Sequence, residues 1–385
     1  MIPYGRQSIS QADIDAVVEV LKSDFLTQGP VVPRFEQAVA DYCGAKFGVA
    51  VNSGTAALHI ACLALGVGHG DWVWTSPISF VASANCALYC GAHVDFVDIE
   101  PDTGNMCAVE LERKLIAAKA EGKLPKVVIP VHFAGLPCDM KEIHRLGQEY
   151  GFRIIEDACH ALGARYHDEP TGNGRYSDIT VFSFHPVKII TTGEGGMAMT
   201  NDPAIAKTMR MLRSHGITRE PEDFINEPDG PWYYEQQMLG FNYRMTDIQA
   251  ALGLSQMGQL ECFLETRRNI VARYQTNLQC PEMEILTNRE DRISAWHLFV
   301  IKINTDMRKP LFEQLREQGI GVNVHYIAIT NQPYYKKANF TTPLKAEAFT
   351  DAIISLPIYP GLGAAQEDVL SKLRTAFHAV HRLEI

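Results

Sequence analysis

From Phe47 to Glu156 the chain repeats one alternation: a short run of β-branched and aromatic residues, a turn, then an amphipathic stretch of helical length. Strands are expected at 47–51, 72–75, 94–99, 127–131 and 153–156, with helices at 55–65, 80–90, 109–118 and 140–150 between them. Apolar strands separated by helices form βαβ units, because a parallel return needs a long crossover, and the crossover helices cover both faces of the sheet. Two further runs, 179–184 and 197–200, bring the expected count to seven strands. The pattern predicts an α/β fold built on a seven-stranded, mostly parallel sheet.

The flanks read differently. Ser10 is placed to cap an early helix whose face carries Asp13, Val17, Val18 and Leu21, and a second helix is expected at 33–43. A helix at 204–214 precedes a surface excursion, 218–237, rich in Pro, Glu and Asp. A long helical stretch, 246–278, leads into a mixed segment: strands at 297–303 and 322–325, helices at 309–318, 345–355 and 367–381. The change of pattern predicts a large α/β domain over 1–255 and a smaller α+β domain over 256–385.

A formal net charge of -10 with no long basic run argues against nucleic acid as a partner. No apolar run reaches the ~18–20 residues that span a bilayer, and the start lacks the charged and apolar regions of a signal peptide. Nine cysteines without a CxxC pair read as reduced thiols of a cytoplasmic protein. Cys86 and Cys90 stand four apart on an expected helix, but no His or Cys cluster accompanies them, so no metal is expected.

Chemistry-bearing residues fall at the predicted strand ends. Strand 179–184 breaks at Pro186, presents Lys188, and runs through Thr192-Gly-Glu-Gly-Gly196 into the next strand. A lysine there, beside a turn that lets backbone come close, can hold an aldehyde cofactor as a Schiff base; alone it can equally be a solvated charge. Asn52-Ser-Gly-Thr55 lies where a strand gives way to a helix. The N–H groups of Gly54, Thr55 and Ala56 at the positive end of that helix fit a phosphate, although a plain Ser N-cap accounts for the same residues. Asp157 follows strand 153–156 at its carboxyl end, where open α/β sheets take ligands. It can pair with a protonated pyridine nitrogen or cap the next turn. His160 can reach the same ligand or pack inside. Ser183 can donate to a phosphate or simply end its strand, and Phe80 can lie against a cofactor ring or in the core.

Taken together, these residues resemble the type I pyridoxal-phosphate fold, and within it the DegT/DnrJ/StrS sugar aminotransferase family. The matching segments are Leu26-Thr-Gln-Gly-Pro30, Asn52-Ser-Gly-Thr55, Glu156-Asp-Ala-Cys-His160, Phe182-Ser-Phe-His-Pro-Val-Lys188 with Gly193-Glu-Gly-Gly196, and Gly240-Phe-Asn-Tyr-Arg244. Further segments, among them Pro77–Asn85, Arg213-Ser-His-Gly216 and Val324-His-Tyr326, look like the group that serves pseudaminic acid formation.

The resemblance implies a transaminase that carries an amino group from L-glutamate, leaving 2-oxoglutarate, to C4 of a UDP-linked 4-keto-6-deoxy sugar. It implies pyridoxal 5'-phosphate as cofactor, with pyridoxamine phosphate as its intermediate form, and a homodimer with shared active sites. Lys188 would carry the cofactor and move the proton, and Asp157 would pair with the pyridine nitrogen. His160 would stand near the ring's 3-hydroxyl, where many relatives have Gln. Ser183, Gly54 and Thr55 would hold phosphate, and Phe80 would stack on the ring. Asn242, with Arg244 beside it, would reach the neighbouring subunit's cofactor. Tyr4, Arg6, Thr27, Gln28, Gly29, His325 and Tyr326 would line the sugar-nucleotide site. Ile189 departs from the polar Asn that many members carry after the lysine. Related dehydratases have His in place of Lys188, so the lysine favours amino transfer. Competing readings are another 4-keto sugar-nucleotide substrate, of the bacillosamine or pentose type, a non-catalytic sensor on the same fold, and a nicotinamide dehydrogenase, which the missing GxGxxG disfavours.

Overall fold

The computed structural model describes residues 1–278 and 280–381. One sheet orders the chain from Phe47 to Thr200. Its strands are β1 (Phe47–Val51), β2 (Trp72–Thr75), β3 (His93–Phe96), β4 (Val127–Ile129) and β5 (Arg153–Asp157). Two-residue strands β6 (Arg165–Tyr166) and β7 (Glu169–Pro170) intervene before β8 (Ile179–Ser183) and β9 (Gly196–Thr200) complete it. The spatial order is β1-β9-β8-β5-β4-β2-β3. All neighbours run parallel except β9, which is antiparallel to β1 and β8. The turn from β8 to β9 contains no helix that could carry the chain back to the starting edge, so β9 has to return alongside β8.

Alternate residues of each strand serve opposite faces. Val49, Val51, Val73, Ile155 and Val181 pack under α3 (Gly54–Ala64), α4 (Ala82–Tyr89) and α7 (Pro203–Leu212). On the other face Ala50, Phe182 and Met197 meet α2 (Val31–Cys43) and α8 (Asp247–Met257), while Trp74, Val128 and Ile154 meet α5 (Ala108–Glu121) and α6 (Met140–Tyr150). Each fully buried Val or Ile contributes about 1.5–3 kcal/mol, which fixes the register and hence which strand-end side chains share a crevice.

The first helix, α1 (Gln11–Leu21), starts at Ser10 with a capping box to Asp13, and the Asp13 carboxylate also accepts from Gln256 Nε2 at 2.7 Å. That second bond sets the helix's rotation: Val20 is buried, and Leu21, expected inside, is exposed.

The expected helix 246–278 is two helices. Thr246 and Gln249 form a capping box on α8, which ends at Gly258, and α9 (Leu260–Asn277) follows. Ala250 of α8 belongs to the sheet's core, whereas Ile270, Val271 and Tyr274 of α9 join a separate core. A hairpin, β10 (Ile217–Thr218) with β11 (Glu235–Gln236), closes the acidic excursion. In the remainder, β12 (Met283–Ile285), β14 (Phe299–Ile303) and β15 (Ile353–Leu356) form an antiparallel sheet, and β13 (Arg292–Ile293) pairs back onto β6. Helices α10 (Thr305–Glu317), α11 (Pro333–Lys336), α12 (Leu344–Ala352) and α13 (Ala365–His381) complete the chain.

Two further expectations are corrected. Residues 322–325 are not a strand, since only Asn323 bridges to Ser355. The helix expected to reach Ser355 stops at Ala352, because Ile353 to Leu356 pair with β14. Among the described residues no helix is long and apolar enough to cross a membrane.

Candidate active site

Three strand ends converge on one crevice. β5 ends in Asp157 and β8 in Ser183, two parallel neighbours, while β1 leads through Asn52 and Ser53 into α3. Ser53 caps α3, its hydroxyl accepting from Ala56 N–H at 3.1 Å. Of the three amides expected to face an anion, Ala56 is therefore engaged by the cap, and the Gly54 and Thr55 N–H groups remain as the outward donors. A Cβ on Gly54 would lie 2.9 Å from Ser183 Cβ and 3.3 Å from Cys159 Sγ. Glycine is required there because β8 and the turn after β5 come so close. A Cβ on Gly196 would run into the Ser53 carbonyl, so part of the glycine turn makes room for this helix start rather than for a ligand.

Asp157 is buried. Its Oδ2 accepts from Ser83 Oγ at 2.6 Å and its Oδ1 from Cys159 N–H at 3.2 Å. Ser83 is itself 2.6 Å from Ser79 Oγ. Lys188 is half-buried, its backbone N–H held by the His185 carbonyl at 2.9 Å, and its ammonium makes no hydrogen bond or ion pair with another described residue. Burial lowers the Lys188 pKa, and the nearby Cys159 and Asp157 only partly offset that.

Around the lysine stand His160, His297 and His325, all buried. Burial, then the Lys188 charge and His325, push His160 well below the usual histidine range. Burial and the charges of His160 and Lys188 do the same to His297, and burial with Lys188 brings His325 down to about 4. All three are neutral rings at neutral pH. Tyr326, raised by burial first and then by Tyr4 and Asp157, stays a phenol, and its hydroxyl meets His160 Nε2 at 3.0 Å. A phenol donating to Nε2 leaves the imidazole hydrogen on Nδ1, and His160 Nδ1 is buried with no partner. His297 packs on His160 at 4.3 Å between ring centres, and its Nδ1 is likewise without a partner.

The other residues singled out in the sequence divide into two sets. Tyr4 lies 4.9 Å from His325 between ring centres, His325 hydrogen-bonds Ser355 at 2.9 Å, and Phe80, 60% exposed, stands 6.4 Å from the Tyr326 ring. Arg6 lines a narrow cleft with Lys188 and Pro186. Those residues form one neighbourhood. Thr27 and Gly29 are held at the start of α8: Thr27 bridges Thr246, and Gly29 N–H donates to Asp247 at 2.7 Å. Asn242 is exposed on a segment that runs beside the end of β1, its carbonyl 3.5 Å from Asn52 Nδ2, and Arg244 bridges Val51.

The crevice fits a planar phosphorylated aldehyde. It offers an amine with no partner of its own, a buried carboxylate across from it, an imidazole nitrogen left unsatisfied, and uncapped helix-start amides beside a hydroxyl. Sequence reasoning missed Ser83, Cys159 and His297. Ser79 and Ser83 are four residues apart, which could have signalled a paired hydroxyl face, whereas nothing local marks His297.

This fold and site define a pyridoxal-phosphate-dependent sugar aminotransferase, and the chain belongs to the DegT/DnrJ/EryC1/StrS aminotransferase family, whose pattern matches residues 7–374. Among its relatives is the UDP-4-amino-4,6-dideoxy-N-acetyl-beta-L-altrosamine transaminase of Campylobacter jejuni serotype O:2, 37% identical over 364 residues, 93% of each chain. The solved structure of Helicobacter pylori PseC, an aminotransferase of pseudaminic acid biosynthesis, superimposes with a TM-score of 0.89 at 30% identity, covering 98% of this chain and 99% of that one. The pyridoxal-phosphate form of the sugar aminotransferase Spr1654 from Streptococcus pneumoniae gives 0.88 at 30% identity over 98% and 99%.

Proposed function

We propose that this enzyme aminates C4 of a UDP-4-keto-6-deoxy-N-acetylhexosamine with L-glutamate, forming UDP-4-amino-4,6-dideoxy-N-acetyl-β-L-altrosamine, the pseudaminic acid precursor. The observation that carries the substrate is the likeness to the Campylobacter transaminase across nearly the whole of both chains. The chemistry supplied by pyridoxal phosphate, when bound, is an aldehyde carbon that takes up amino groups and a ring that accepts electrons released at the adjacent carbon.

In this reading Lys188 is the attachment point and the proton carrier. Its amine, disfavoured as an ammonium by burial, takes a proton from the α-carbon of glutamate and returns one, and later works in the reverse sense on the sugar. Asp157, held by Ser83 and the Cys159 amide, would pair with the pyridine nitrogen and favour its protonated form. His160 donates from Nδ1 to the 3-oxygen. Ser183 and the Gly54 and Thr55 amides bind phosphate, and Phe80 covers the ring. Asn242 and Arg244 serve the cofactor of a second copy, which makes a homodimer with shared sites the working unit. Tyr4, Arg6, His325 and Tyr326 line the sugar-nucleotide site, joined by Thr27, Gln28 and Gly29. Residues 1–255 and 256–385 act as large and small domains; the separate core that Ile270, Val271 and Tyr274 join supports a second unit, while Leu260, Phe263 and Leu264 at the start of α9 still pack in the sheet's core.

The test is a panel of UDP-4-keto sugars with glutamate, with product configuration at C4 read by NMR. The altro product in preference to bacillosamine-type or pentose products supports the proposal. Turnover confined to either of those alternatives refutes it while leaving the transaminase class intact.

A further inference from the structure

We infer that His59 is a positioning residue of the shared site: through the Tyr243 hydroxyl it fixes the segment that presents Asn242 to the cofactor of a second copy. The inference rests on the shared site proposed above and adds to it a residue that touches neither cofactor nor substrate.

His59 lies in the second turn of α3 and is buried. Its Nδ1 is 3.2 Å from the Tyr243 hydroxyl, and its Nε2 is buried with no hydrogen-bond partner. A phenol both donates and accepts, so it can answer Nδ1 in either tautomer of the ring. Packing alone does not call for an imidazole here, because a buried nitrogen without a partner is a cost. The nitrogen that is satisfied is satisfied by a residue 184 positions away.

Phe241 and Tyr243 stack at 4.9 Å with their planes 13° apart, and the His59 ring meets Phe241 at 4.8 Å. Both aromatic residues pack against the core that α3 helps to form. Backbone holds their segment from two sides. Phe241 N–H donates to the Leu212 carbonyl at 2.7 Å and Tyr243 N–H to the Arg213 carbonyl at 3.0 Å, while Asn52 N–H donates to the Tyr243 carbonyl at 2.8 Å. Asn242 bridges Ser214, and Arg244 bridges Val51. In a segment paired like a strand, successive side chains leave on opposite faces. Phe241 and Tyr243 turn toward His59, and Asn242 between them is exposed. A slip of one residue would turn Asn242 inward and Tyr243 outward. The His59 hydrogen bond specifies the register, because it needs a hydroxyl at that place and on that face.

The experiment titrates the full-length protein, stripped of cofactor, with pyridoxal phosphate. Borohydride traps what is bound, and peptide mass spectrometry counts labelled Lys188. His59→Phe keeps an aromatic ring and removes the hydrogen bond. Its midpoint should rise about three- to tenfold, the range for one lost hydrogen bond, with urea unfolding recording that it folds. Tyr243→Phe, which removes the other half of the bond, should shift the midpoint alike, and it carries the same tests if His59→Phe does not fold. His59→Asn, whose amide can stand where Nδ1 stands, should return the midpoint toward wild type. Adding His59→Phe to Asn242→Ala should change the midpoint by less than about twofold, because both act through one contact.

The deciding arm mixes His59→Phe with excess Lys188→Ala protein. Only the His59→Phe chain can then be labelled, and its partner supplies an intact Tyr243 segment, so the wild-type midpoint should return. A midpoint that stays raised on mixing puts the effect in the variant's own α3 and overturns the inference. So does a Tyr243→Phe protein that titrates like wild type. Asn242→Ala mixed in the same way separates this inference from the reading beneath it. Rescue of Asn242→Ala without rescue of His59→Phe leaves the shared site standing and removes His59 from it. Rescue of neither removes the shared site and the inference together.

Discussion

Glu156 and Asp157 are adjacent carboxylates at the end of β5, and they face opposite sides of the sheet into two different environments. On the Glu156 side the protein satisfies itself. His132 Nε2 donates at 2.7 Å, Thr180 Oγ1 at 3.0 Å, and Ser177 adds a third hydrogen bond. The other nitrogen of His132 accepts from Cys138 N–H at 3.1 Å, so nothing is left over. Burial pulls the Glu156 pKa up, and these donors outweigh it to leave the carboxyl lowered. On the Asp157 side the chain leaves groups unmatched: Lys188 without an ion pair, His160 and His297 each with a buried nitrogen lacking a partner. Leaving buried polar groups unmade costs about 1–3 kcal/mol each, so two imidazole nitrogens left unpaired beside one unpaired lysine mark that crevice for a ligand. One side is architecture and the other is the site.

The contrast breaks most visibly at Lys188. Lys188→Ala should fold and still retain cofactor non-covalently, but lose glutamate-dependent turnover by about 10⁴-fold, as removal of a nucleophile that is also the proton carrier should. Steady-state rates check this, and a variant with substantial turnover contradicts the division. Asp157→Ala should reduce kcat on the order of 10²- to 10³-fold, as expected for a lost preorganised charge, with a smaller stability loss from the stranded Ser83 hydroxyl.

Glu156→Ala should show the reverse. It should cost about 3 kcal/mol of stability, read from the urea midpoint, while kcat per folded molecule is kept. Because the folded Glu156 pKa is lowered, its contribution is fully present above the ordinary carboxylate range and is lost as pH falls through the lowered value. Wild type and variant should therefore converge in stability under acid. A constant gap across pH, or a collapse of kcat at neutral pH, would show that the two faces are not separate. The smallest effect expected is for Asn242→Ala, about tenfold weaker cofactor retention from one lost hydrogen bond to a charged group. Mixing it with the Lys188→Ala protein should restore an active hybrid site, and no recovery in mixed dimers argues against a site shared between copies.

Much of this was legible before any coordinates. β1, β2 and α6 appear with the expected bounds, and Asp157 and Lys188 were marked by their places past strand ends. These features are local: apolar runs, a proline break, glycines in a turn. What was not legible depends on distant partners. Residues 345–355 suit a helix until β14 offers Ile353 to Leu356 an edge to pair with. No change of core marks the break at Gly258, since Leu260, Phe263 and Leu264 of α9 still pack with Ala250 of α8 and only Ile270 onward joins the second core. Ser83 matters because Asp157 lies across the crevice, and His297 because it packs on His160, a neighbour far removed in sequence. The face that Leu21 lost to Val20 was decided by Gln256 reaching Asp13. Chain pattern set the strand ends; the partners that tune their chemistry came from elsewhere.

The central claim is that the Asp157 face is built around Lys188. The most direct measurement is borohydride reduction of the pyridoxal-phosphate-loaded protein followed by peptide mass spectrometry. A phosphopyridoxyl group on Lys188 and on no other lysine is the predicted result. A label on another lysine, or cofactor that washes away unreduced while the protein still turns over, would contradict it.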